Sequence, residues 1–158
     1  MAIQKVKKTE DIISKRQLWR DRVIEEAKEW IGTPHRHYEI KKGLGCDCGL
    51  FIIGVYANLG LIKEERPKFY PEDWAMHKPV GEMFESIVQK YCIEICKDEV
   101  KPGDLILYKF GKCLSHSSLA MEDDMIIHSE KPMGVTISNR FTNTWHKRER
   151  KYYTYKDE

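Results

Sequence analysis

The chain has 158 residues, 41% of them apolar and 33% charged, and carries a formal net charge of +2. That length suits one domain, 1–158, with a core expected across 14–140, and no basic stripe interleaved with aromatics points to nucleic acid. No stretch approaches the roughly 20 apolar residues of a membrane span, and the first ten residues lack the apolar centre of a secretory signal, so cytoplasmic synthesis is expected.

Ser14 followed by Gln17 matches a capping box. Leu18, Trp19, Val23, Ile24, Ala27, Trp30 and Ile31 then recur at helical spacing, and Gly32 and Pro34 stop the helix. Residues 33–45 read as a polar loop. In residues 46–61, Leu50, Phe51, Ile52, Ile53, Val55, Tyr56 and Leu59 cover nearly the whole circumference, which marks a helix in the middle of a fold. Gly60 suits its left-handed end. Cys48 falls in the first turn, where free amides and the helix dipole favour a thiolate.

Residues 63–79, punctuated by Pro67, Pro71 and Pro79, read as an ordered loop. Its Tyr70 and Trp74 either line a groove or plug the edge of a core. Pro79 suits the start of a third helix, marked by Met83, Phe84, Ile87, Val88 and Tyr91. Strands follow. Residues 92–96 read as one, with Cys92 and Cys96 sharing a core-facing side. After the turn Lys101-Pro-Gly-Asp104, strands are expected at 105–110, 116–121, 125–129, 135–139 and 151–155. Helices first and strands afterwards predict an α+β domain with an antiparallel sheet.

A thiol nucleophile at neutral pH needs a base, usually histidine. His116 and His128 flank the acidic trio Glu122-Asp123-Asp124, which reads as a hairpin turn. An odd-membered loop centred on Asp123 makes the two histidines diagonal neighbours on one face; a two-residue loop places them on opposite faces. Cys48 as nucleophile, His116 as base and His128 orienting it follow the logic of a catalytic triad. Cys46 is the rival nucleophile, but it lies before the helix. Cys113 reads as structural, and His37, His77 and His146 carry no expected role. Five cysteines without a secretory context are expected as free thiols.

Five segments in order, Trp30-Ile-Gly-Thr-Pro34, Gly45-Cys-Asp-Cys48 with its helix through Gly60, Lys101-Pro-Gly-Asp-Leu105, Ser115-His116 and Ile126-Ile-His128, resemble the NlpC family of papain-like cysteine peptidases. These enzymes cut stem peptides of bacterial peptidoglycan. The Gly-Cys-Asp-Cys form, Tyr70-Pro-Glu-Asp-Trp74 and Gly111-Lys-Cys-Leu-Ser-His116 resemble the branch associated with phage and prophage tails. The resemblance implies a papain-like fold, with the central helix bearing the nucleophile packed on an antiparallel sheet. It implies a cell-wall hydrolase with Cys48, His116 and His128 catalytic, the Cys48 amide at the oxyanion, and neither cofactor nor metal. The implied partners are a peptidoglycan stem peptide and phage tail proteins, with incorporation into a tail after cytoplasmic synthesis; a cytoplasmic recycling enzyme is the competing physiology.

Asp47 matches the family's Asp before the cysteine, a position associated with substrate binding. Two neighbours depart from the pattern. Gly49 stands where the family usually has Ser, and His35 where it has Tyr, leaving Tyr38 to supply a hydroxyl near the oxyanion. These departures keep open a second reading, an inactive tail component of the same fold. A third is a zinc-binding domain using Cys46, Cys48, Cys92 and Cys96 with a histidine, although the spacings fit the common zinc modules poorly.

Overall fold

The computed structural model describes residues 1–157, with the side chains of 12–16 and 143–144 outside the described set. Helix α1 spans Ala2–Glu29. It starts far ahead of the expected capping box, whose Ser14 side chain lies outside the described residues, so the Ser14–Gln17 pair does not open the helix. Exposed residues occupy its first turns, and packing begins at Trp19, Val23, Ala27 and Trp30, which are buried at helical spacing. Arg20 reaches from this helix to the fully buried Asp104 at 2.7 Å, which ties α1 to the turn at 101–104.

Strands β1 (Ile40–Lys41) and β2 (Gly45–Cys46) form a small antiparallel pair inside the expected loop. Helix α2 (Cys48–Asn58) follows at once, with eight buried residues from Cys48 to Tyr56. Gly60, at φ 71°, ends it in the left-handed region. Helix α3 spans Lys78–Tyr91, with Pro79 in its first turn. Strand β3 is Cys92–Ile95. Cys96 lies beyond its end, exposed, and caps a turn of 3-10 helix at Lys97–Glu99. The two cysteines therefore do not share a buried face.

The remaining elements are β4 (Leu105–Phe110), β5 (Cys113–Ala120), β6 (Met125–Glu130), β7 (Gly134–Asn139), the short α4 (Asn143–His146) and β8 (Arg150–Tyr155). They build one antiparallel sheet in the order β3-β8-β4-β5-β6-β7. On one face Leu105, Leu107, Leu119, Ile127, Val135 and Tyr153 pack against α1 and α2. On the other, Ile106, Tyr108, Ala120 and Ile126 pack under Trp145. The expected α+β architecture, with the apolar helix α2 laid on an antiparallel sheet, is the one observed. Each fully buried Leu, Ile or Phe of α2 contributes roughly 1.5–3 kcal/mol by removal from water, which fixes where the N-terminus of α2 lies.

Candidate active site

Asp47 caps α2, its Oδ1 accepting from the Leu50 amide at 2.9 Å. Oδ2 accepts from the Tyr38 amide at 3.0 Å and from the Tyr70 hydroxyl. The carboxylate is buried and joins three segments: the helix start, the loop at Tyr38 and the loop at Tyr70. Tyr38 holds a left-handed backbone at φ 58° to make this contact. Its hydroxyl donates to the Pro67 carbonyl at 2.6 Å.

Strand β5 grips the helix start from the other side. Tyr108 pairs with His116 but Lys109 pairs with Leu114, so Ser115 is an extra residue that bulges from the strand. The Cys48 thiol donates to the Ser115 carbonyl at 3.4 Å, and the Ser117 hydroxyl donates to the Cys48 carbonyl at 2.9 Å. Cys48 is thereby anchored, by its sulfur to Ser115 and by its carbonyl to Ser117, to the two residues that flank His116. Burial pushes the Cys48 thiol up to about 12, the Asp47 carboxylate adds to the rise, and the Ser117 and Gly49 amides oppose it. Desolvation thus outweighs the helix-terminal effect expected from sequence, and the resting group is a neutral thiol.

Leu119 pairs with Ile127 and Ala120 with Ile126, which centres the β5–β6 turn on Asp123. Asp123 and Asp124 both take left-handed backbones there. This is the odd-membered loop, and it puts both histidines on one face. His116 Nε2 lies 2.7 Å from His128 Nδ1, and His128 Nε2 lies 2.9 Å from Ser138 Oγ on β7. The Trp145 ring stacks on His116 at 4.9 Å and meets His128 edge-on at 4.9 Å. Burial, then the neighbouring His128, hold His116 well below the usual imidazole range; burial brings His128 down to about 4. Both rings are neutral at pH 7.

His116 opens onto a cleft lined also by His35, Trp74, Ser115, Ser129 and Glu130. Cys48 is not on its wall; the thiol lies against Ser115. The Ser129 hydroxyl donates to the Cys46 carbonyl at 3.0 Å, so it must accept from His35 Nδ1–H, also at 3.0 Å. His35 Nε2 is then an acceptor, where the expected tyrosine would offer a donor. Burial lowers the His35 pKa and keeps the ring neutral. Gly49 meets Phe84: a Cβ there would sit 2.6 Å from Phe84 Cε1. Phe84 in turn stacks on Trp74 and meets Tyr70 edge-on. Packing therefore accounts for the missing side chain at 49. Of the two loop aromatics, Tyr70 is buried at the core edge and Trp74 lines the cleft.

Cys46 is fully buried, with its thiol pushed up to about 12 by burial. Among the described residues, no three His, Cys, Asp or Glu side chains group as a metal site requires. Sequence reasoning missed Ser138, Trp145 and the Ser115 bulge. Trp145 stands alone in a polar stretch with no periodicity to mark it. Ser138 matters only through the β6–β7 register, which pairs His128 with Thr136 and sets Ser138 diagonally across.

Residues 29–154 match the model of the NlpC/P60 family. The fold resembles that of the NlpC/p60 domain of the peptidoglycan hydrolase SagA, at 20% identity and a TM-score of 0.57, over 84% of this chain and 96% of that one. It also resembles an NlpC/P60 family protein from Bacillus cereus, at 21% identity and a TM-score of 0.64, where 86% of this chain covers 40% of the longer protein. RipD from Mycobacterium tuberculosis, described as a non-catalytic NlpC/p60 domain protein adapted to peptidoglycan binding, aligns at 18% identity and a TM-score of 0.57, over 85% of this chain and 95% of that one. Comparison with curated proteins returns no match. The chain belongs to the NlpC/P60 family, and its fold is papain-like.

Proposed function

We propose that this NlpC/P60 domain is a cysteine peptidase or amidase that hydrolyses peptide bonds in peptidoglycan stem peptides through Cys48, His116 and His128. The observation that carries this reading is the hydrogen-bonded imidazole pair, whose His116 follows directly on Ser115, the strand residue that holds the sulfur.

With the substrate carbonyl in the cleft, the thiol leaves the Ser115 carbonyl and turns toward His116 Nδ1. That nitrogen takes the proton as sulfur attacks the carbonyl carbon. As first residue of α2, Cys48 has an amide without an intrahelical acceptor, suited to the oxyanion. The His116 imidazolium, steadied by Nε2–H donating to His128 Nδ1, then protonates the amine nitrogen as the C–N bond breaks. A water deprotonated by His116 attacks the thioester, releasing the carboxylic acid and restoring the thiol. His35 Nε2 would accept from a substrate N–H, while Asp47 and Tyr38 shape the site without facing the reacting bond.

The association with a phage or prophage tail, and with it incorporation into a tail after cytoplasmic synthesis, rests on the Gly45–Cys48, Tyr70–Trp74 and Gly111–His116 segments that resemble that branch. A non-catalytic peptidoglycan-binding domain is the second reading, and the deep burial of the Cys48 sulfur favours it. Incubation with defined muropeptides separates the two. Peptidase action yields stem-peptide fragments that Cys48→Ala does not produce; fragment-free binding supports the second reading.

A further inference from the structure

Ser138 stands at the far end of the hydrogen-bonded chain that begins at His116. Its Oγ is 2.9 Å from His128 Nε2, and His128 is completely buried. Two neutral proton arrangements fit the His116–His128 contact. In one, His116 Nε2–H donates to His128 Nδ1 and His128 Nε2–H donates to Ser138 Oγ. In the other every proton is reversed, and His116 carries its hydrogen on Nδ1. Only the first leaves His116 Nδ1 free to receive a proton.

We propose that Ser138 is a positioning residue: by accepting from His128 Nε2–H, it fixes the tautomers of both histidines and keeps His116 Nδ1 a base. Two observations favour this direction. Glu130 Oε2 lies 3.9 Å from His128 Nε2, so a carboxylate is set on the side where a hydrogen, not a lone pair, is stabilised. Ser138 is only partly buried, so its own hydroxyl hydrogen has solvent to turn to. A buried Nε2–H without an acceptor is costly, so removing the hydroxyl moves the hydrogen to Nδ1, where His116 Nε2 can accept it. The inference rests on His116 acting as a base in the proposed reaction, and its first readout does not depend on turnover.

The test is nitrogen-detected NMR of the imidazoles in the full chain at pH 7.5, with muropeptide hydrolysis measured on the same samples. In wild type His128 is the Nε2–H tautomer. In Ser138→Ala the population shifts toward Nδ1–H, and kcat falls about tenfold, the loss of one hydrogen bond's worth of preference, with KM unchanged. Ser138→Thr restores both. A His128 tautomer that is the same in wild type and Ser138→Ala overturns the proposal, as does failure of Ser138→Thr to restore what Ser138→Ala loses. If wild type hydrolyses no muropeptide, the enzymatic reading falls and the tautomer measurement alone decides the role of Ser138.

Discussion

The Cys48 thiol donates to the carbonyl of Ser115, the bulged residue that precedes His116 in β5. In the resting site the sulfur is thus protonated and turned to the backbone, with its base one residue further along the strand. Alkylation rates should reflect this, because the thiolate is the reactive form. Iodoacetamide at pH 7 is expected to modify the exposed Cys96 first and Cys48 slowly, as peptide mapping over time would record. Preferential labelling of Cys48 at pH 6 would instead reveal a preformed thiolate–imidazolium pair.

The histidine pair makes stability depend on acid. His128 is held at about 4 against 6.5 for an unperturbed imidazole, and His116 is lowered too. The unfolded chain therefore binds protons that the folded chain refuses. The histidines' contribution to stability is complete above pH 6.5 and is lost as pH falls from 6.5 toward 4. The His128 shift alone corresponds to about 3 kcal/mol. Urea midpoints taken from pH 7.5 to 4.5 should fall accordingly in wild type, and the slope should flatten in His128→Asn. Activity, which needs His116 neutral, should persist below pH 6.5.

Gly49 tests whether the family's usual serine can be put back. Its Cβ would meet the Phe84 ring, itself wedged between Trp74 and Tyr70. Gly49→Ser is expected to cost about 1–3 kcal/mol through overpacking, read as a lower Tm. Shortening the ring in Gly49→Ser/Phe84→Leu should recover part of that loss. A Gly49→Ser protein as stable as wild type would show that Phe84 is free to move.

Asp47 separates a positioning role from contact with substrate. Its carboxylate caps α2 and accepts from Tyr38 and Tyr70. Asp47→Ala should lose about 2–3 kcal/mol, more than a helix cap alone, because buried donors are left unpaired. Thermal unfolding measures this. Unchanged stability with a raised KM would instead make Asp47 a substrate ligand.

Local signals carried the helix α2 and the placement of Cys48, since an all-round apolar segment between glycines has few other solutions. The β5–β6 hairpin was legible to within a choice of loop length, and that choice decided whether His116 could meet His128. What stayed hidden depends on contacts between distant segments. The Ser115 bulge is set by pairing with β4, Ser138 by the register of β7, and Trp145 by the docking of a short helix over the rings. The start of α1 was misread because Ser14–Gln17 imitates a cap inside a longer helix. The thiolate expectation failed for a different reason: the helix terminus was recognised, but the depth of burial around the sulfur was not.

The most direct measurement uses a stem-peptide analogue bearing a thiol-reactive ketone at the scissile carbonyl, with the modified residue located by mass spectrometry. A single adduct on Cys48 is expected, and it disappears in His116→Ala while Cys96 still reacts with a small alkylating agent. An adduct on another cysteine, or one on Cys48 that forms equally fast without the His116 imidazole, would contradict that expectation.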